Sequence, residues 1–145
     1  MVAYNKRNSI LVDTSFFIAL AKPADIYHAK AKKLAKFFCK QDWITTWPVI
    51  TELSHILSNH SFQALLEEQQ EGLFHIFSIS DEHVPILIEL MKIYSDQEID
   101  LADLSLILLA QHLEHGRILS FDQNDFSILK WHGSRPFEIL ATKSK

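Results

Sequence analysis

Apolar residues fall into short runs separated by longer amphipathic stretches, and this alternation sets the expected architecture. Ser9 to Val12 (SILV) is a brief run rich in β-branched side chains, the pattern of a buried strand. It stops at Asp13, and Thr14 to Ala21 is predicted to form a helix that Pro23 ends. Ile26 to Lys40 spaces Ala29, Leu34, Phe37 and Phe38 among lysines in a helical pattern. Trp43 to Thr46 (WITT) predicts a second strand, and Pro48 opens a helix through Ile50, Leu53, Ile56 and Leu57. Ser61 to Gln70 predicts a helix capped by Ser61, Phe74 to Ile79 a strand, and Asp81 to Tyr94 a helix with Pro85 near its first turn. The most apolar helix spans Asp100 to Leu113, with Gly116 placed to end it. Arg117 to Phe121 (RILSF) and Pro136 to Leu140 are the remaining predicted strands.

Short strands alternating with helices predict an α/β fold. The expectation is a short, mostly parallel sheet flanked by helices on both sides, in a single domain over 1–145 with 1–8 and 141–145 as short tails. Composition agrees: 145 residues, 48% of them apolar, suffice for one core, and three glycines leave little room for a turn-rich all-β fold. The longest unbroken apolar stretch, Phe16 to Ala21, is far too short to cross a membrane. Met1 to Ser9 has no apolar leader segment, and the lone Cys39 has no partner for an internal disulfide. These features predict a cytoplasmic protein with no membrane association and a semi-buried Cys39.

Fourteen Lys and Arg against 18 Asp and Glu give a net charge of −4, which argues against holding nucleic acid by bulk charge. It leaves open an enzyme whose carboxylates hold a cation. Sites in parallel sheets form beyond the carboxyl ends of the strands, and carboxylates are concentrated there. Asp13 directly follows the first strand, and Asp122 follows RILSF. Glu52 lies early in the helix after WITT, and Asp100 and Asp103 stand one turn apart at the start of the most apolar helix. Each has an ordinary structural explanation. Asp13 and Asp100 suit N-caps, Asp103 suits a first helical turn, Asp122 heads the turn-like DQND, and Glu52 suits a solvated helix face. Together, though, clustered carboxylates repel one another unless a cation sits among them. An all-oxygen set suits Mg²⁺ or Mn²⁺ rather than zinc. One such ion, or a pair about 3.5–4 Å apart, can activate water and stabilise a leaving oxygen on a phosphate.

Four segments carry a family resemblance: Val12-Asp13-Thr14-Ser15, Thr51-Glu52-Leu53, Asp100-Leu101-Ala102-Asp103, and Ile118 to Asp122 followed by Asp125-Phe126. In order and spacing, from Ile10 to Ile139, they resemble the signature of PIN-domain ribonucleases, above all the toxin subunits of VapBC-type toxin–antitoxin pairs. Tyr27-His28 also falls where that family often has such a pair. The resemblance implies that Asp13, Glu52 and Asp103 are the core metal ligands, with Asp122 as a fourth acid. Thr14 or Ser15 would lend a hydroxyl, and Asp100 would assist. The implied activity is metal-dependent hydrolysis of an RNA phosphodiester by Mg²⁺ or Mn²⁺, and the implied partners are an RNA substrate, a small antitoxin protein and a second copy in a homodimer. The alternative is a PIN-like scaffold that binds RNA or a protein without cutting. The chain departs from the family at Gln123-Asn124, where arginine is frequent.

Other features bear on the surface. Lys32, Lys36 and Lys40 recur every four residues, either as a solvated face or as an RNA-guiding patch if they face the acidic edge. Glu52 and His55 have a di-iron-like spacing but lack the second helix that such a site needs. His28 is expected to pack or hydrogen-bond near the first loop. Exposed members of Phe16, Phe17, Phe37 and Phe38 would form an antitoxin groove.

Overall fold

The computed structural model describes residues 4–142, so the outermost parts of the two predicted tails lie outside it. Its first strand, β1 (Ser9–Val12), has all four side chains buried, which requires cover on both faces of the sheet. Beside it lie β2 (Asp42–Thr46), reached through α1 (Thr14–Ala21) and α2 (His28–Phe37), and β4 (Arg117–Leu119), which follows α6 (Leu101–Leu113). Between β2 and α6 the chain forms α3 (Trp47–Ile56), α4 (Asn59–Gln70), β3 (His75–Phe77) and α5 (Val84–Ile93). After β4 come α7 (Gln123–Ile128), β5 (Lys130–Trp131), β6 (Arg135–Pro136) and β7 (Glu138–Ile139).

The main sheet has the order β3-β2-β1-β4-β7, and every neighbouring pair in it is parallel. Registers such as Leu11 opposite Ile44 and Ile118 bring the carboxyl ends of the central strands to one edge. A short antiparallel pair, β5 with β6, forms a separate ribbon. The core is continuous, from Ile10, Leu11 and Ile44 in the sheet to Leu106, Ile107 and Leu109 on α6. α6 is buried from Leu104 to Ala110 without a break, as its predominantly apolar sequence requires.

Buried hydroxyls fix α6 against the sheet. Thr46 and Ser105 are fully buried and their oxygens lie 2.7 Å apart, while Ser105 also donates to the Ala102 carbonyl. Thr45 donates to the Val12 carbonyl over 2.8 Å, tying β2 to the end of β1.

Several expectations are corrected locally. Ser58, not Ser61, caps α4, its hydroxyl accepting from the Ser61 amide. The left-handed residue ending α6 is Glu114 (φ 62°), not Gly116. Gly116 serves a close approach instead, since a Cβ there would stand 2.7 Å from Trp131 Nε1 and 3.2 Å from the Phe137 backbone. The DQND stretch is not only a turn but begins α7. Cys39 is exposed rather than semi-buried. The described part of the N-terminal segment is packed, with Tyr4 stacked on His75 and its hydroxyl 3.1 Å from His112 Nε2.

Candidate active site

Three carboxylates reach the carboxyl edge of the sheet by the same local device, each preceding a helix and capping it. Asp13 Oδ1 accepts from the Phe16 amide (3.2 Å), Asp100 Oδ1 from the Asp103 amide (2.9 Å), and Asp122 Oδ1 from the Asp125 amide (3.1 Å). Capping and membership of the acidic cluster are therefore not rival roles. The cap geometry aims the starts of α1, α6 and α7, and their partial positive ends, at the same region.

Asp13 is the most enclosed of these acids, at 6% exposure. Ser15 Oγ donates to its Oδ1 over 2.8 Å and Ser120 Oγ donates to its Oδ2 over 2.7 Å. Burial pushes its carboxyl up to about 6, and the nearby charge of Asp122 adds to this, while the Ser120, Ser15 and Phe16 donors pull it down. Ser120 in turn accepts from the Asp122 amide, and Ser15 accepts from the Phe121 amide. Two serines thus lock the end of β1 to the loop after β4.

The remaining acids are joined through their electrostatics. Burial raises the Glu52 carboxyl, the Thr14 hydroxyl holds it back, and Asp100 raises it further by charge and by a shared hydrogen bond. Asp103 is pushed up to about 8, chiefly by burial and then by the charges of Asp100 and Asp125. Asp125 is pushed up to about 6 by burial, by its hydrogen bond and charge interaction with Asp122, and by Asp100. Asp13, Asp122, Asp125, Asp100, Asp103 and Glu52 therefore form one chain of mutually felt negative charge.

The donor chemistry fits a hard cation, being carboxylate and hydroxyl oxygen throughout. Among the described residues, no three His, Cys, Asp or Glu side chains are already arranged to ligate a single ion. Mg²⁺ commonly uses one or two carboxylates and keeps several waters, so a preformed trio is not a requirement. Repulsion among uncompensated acids also favours a splayed arrangement.

Lys32, Lys36 and Lys40 are exposed, the first two on α2 and Lys40 just beyond it. α2 begins next to Tyr27, and the Asn8 side chain donates to the Lys40 carbonyl just before β1 begins. His28 Nδ1 lies 2.7 Å from the Ala19 carbonyl, pinning α2 to α1. Phe16 and Phe17 are buried and Phe37 is exposed.

The PIN-domain family pattern matches residues 10–131, from the first residues of β1 through the β5 ribbon. The chain belongs to the PIN-domain family. Its fold is similar to that of VapC20, the sarcin–ricin-loop-cleaving toxin of Mycobacterium tuberculosis. That likeness has a TM-score of 0.70 at 19% identity, and covers 80% of this chain and 92% of the other. No match was found among curated proteins.

Asp125 and Ser120 stand in the segments that carry the family resemblance, but the sequence assigns neither of them a role at this PIN domain's acidic edge. Asp125 sits three residues after Asp122, the spacing that places two acids on one side of a helix start. That signal was legible only if DQND was taken as a helix N-terminus rather than a turn. Ser120 is a fully buried hydroxyl directly after β4, two residues before Asp122.

Proposed function

We propose that this PIN domain is a divalent-metal-dependent endoribonuclease, the toxin of a toxin–antitoxin pair. The observation that carries the proposal is Asp103, whose carboxyl is pushed up to about 8 by burial beside Asp100 and Asp125. A carboxyl raised by burial and by neighbouring negative charge favours the arrival of positive charge, and perturbed groups of this kind concentrate at functional sites. The ribonuclease activity itself is taken from the resemblance of the four acidic segments to PIN ribonucleases, which the likeness to an RNA-cleaving toxin favours.

Asp13, Glu52 and Asp103 would hold the ion, with Asp122 and Asp125 completing the negative field. Mg²⁺ or Mn²⁺ bound there supplies charge to the phosphate oxygens and lowers the pKa of water. Ser15 and Ser120 orient the Asp13 carboxylate from two sides, leaving its remaining lone pairs directed by fixed donors. Thr14 does the same for Glu52. No side-chain nucleophile is required, because water can attack phosphorus in line while the acids position the charge that balances it.

The partner assignments belong to the same proposal. An apolar groove of about 630 Å³, lined by Phe17, Leu20, Ala35, Trp43, Leu65 and Phe74, suits the apolar face of a small antitoxin helix. Val84, Ile88 and Met91 form an exposed apolar row on α5 that suits self-association into a homodimer. No helix among the described residues is long and apolar enough to cross a membrane, and a cytoplasmic location is proposed together with the toxin assignment.

The test is cleavage of single-stranded RNA by nuclease-free protein with and without Mn²⁺. Wild type is expected to cut only with the ion, and Asp103→Asn is expected to lose at least about a hundredfold in rate while remaining folded. Full cutting by Asp103→Asn contradicts the proposal, and metal binding without any cutting favours the non-catalytic scaffold.

A further inference from the structure

A ladder of aromatic rings runs outward beside the acids. Trp43 meets Phe16 edge-on at 5.7 Å, Phe16 stacks on Phe121 at 5.8 Å, and Phe121 stacks on Tyr27 at 4.4 Å with the planes only 4° apart. The inner rings are core packing. Tyr27 is different, since it ends the ladder and is 42% exposed with one face covered by Phe121. Its backbone amide donates to Asp25 Oδ1 over 2.8 Å, which holds the turn that presents the ring.

Tyr27 borders a concavity of about 580 Å³ that is also lined by Ser15, Phe121, Asp122, Gln123 and Asn124. Two of these residues join it to the acidic cluster, because Ser15 donates to Asp13 and the charge of Asp122 is felt by Asp13. Neutral amides line the same concavity. Gln123 and Asn124 are exposed amides at the start of α7, each able to donate and to accept hydrogen bonds. A flat aromatic face, amide groups that can read a base edge, and adjacent phosphate chemistry are the elements of an unpaired-nucleotide site.

We propose that the concavity between Tyr27 and Gln123-Asn124 is a nucleobase subsite, in which an unpaired base next to the scissile phosphate stacks on Tyr27 and presents its edge to the two amides. The base at this subsite has to be unpaired, because a paired base cannot offer its face and its edge together. This rests on the ribonuclease reading given above and extends it from the reaction to the choice of cutting position.

The test uses the full-length protein with Mn²⁺ and short single-stranded RNAs in which 2-aminopurine is moved through each position around the cut. Quenching is expected at one position beside the cut. Tyr27→Ala should relieve that quenching and raise KM about tenfold with kcat within about twofold, whereas Tyr27→Phe should retain both properties. Gln123→Ala and Asn124→Ala should broaden the base preference at that position without removing the quenching. If wild type cuts RNA while all four variants keep its KM, preference and quenching, the subsite is wrong and the nuclease reading stands. If wild type with Mn²⁺ cuts no RNA, both fall together.

Discussion

The Ser120 hydroxyl donates to Oδ2 of Asp13 over 2.7 Å, and both side chains are buried. This one bond joins the ends of β1 and β4, which are adjacent in the sheet but 107 residues apart in the chain. It favours the charged form of a carboxylate that burial would otherwise neutralise. Ser120→Ala removes that donor and also leaves the Asp122 amide without its acceptor. The variant is expected to lose about 1–3 kcal/mol of stability. Its cleavage should fall about tenfold at pH 7, with the acid limb of the pH–rate profile moved to higher pH because the Asp13 carboxyl rises further. An unmoved acid limb would mean that the bond does not act through Asp13.

The pH dependence of stability without metal has a definite sign. Asp13 and Asp125 are raised to about 6 and Asp103 to about 8, so the folded chain holds protons that the unfolded chain gives up. Their contribution is complete below about pH 4, the ordinary carboxylate range, and is lost as pH rises toward 8. In chelator, Tm is expected to fall by roughly 5 °C between pH 5 and pH 8, the loss from the acids exceeding the opposing gain from His115, whose imidazole burial holds down to about 4. A Tm that rises across that window contradicts the assigned shifts.

Asp125 is expected to act on Asp103 through charge. Asp125→Asn should lower the Asp103 carboxyl from its raised value and weaken Mn²⁺ binding by about tenfold, leaving the fold intact. Carboxyl chemical shifts followed by NMR through the titration test the first part, and calorimetry tests the second. No change in the Asp103 titration would separate the two acids.

Gly116 tests the fold apart from the chemistry. Gly116→Ala places a Cβ against the Trp131 ring, which is itself held by a hydrogen bond from Nε1 to the Pro136 carbonyl, and against the Phe137 backbone. A loss of about 1–3 kcal/mol is expected from this crowding, with the metal response unchanged. Thermal melts with and without Mn²⁺ read both quantities.

Much of this architecture is legible in the chain because hydrophobic period and strand-end chemistry agree. SILV and WITT are short, apolar and branched, so each reads as a buried strand. Asp13, Asp100 and Asp122 read as helix caps, and those caps also contribute to the site, whereas Glu52 lies within α3, which Thr46 caps. What stayed hidden depends on tertiary context. Ser120 becomes informative only when β4 lies beside β1, since its acceptor is distant in sequence. α7 was obscured because Gln, Asn and Asp favour turns as readily as helix starts. The lysine spacing is visible in the sequence, but that α2 ends at Phe37 and leaves Lys40 beyond it is not.

The central claim is that acids from separate segments share a divalent cation, and calorimetric titration of the full-length protein with Mn²⁺ at pH 7 tests it most directly. Wild type is expected to show saturable binding accompanied by proton release, as the raised carboxyls give up protons to the ion. Asp13→Asn and Asp103→Asn should each weaken that binding at least about tenfold. Absence of saturable binding in wild type, or equal binding and proton release in both variants, would contradict the account.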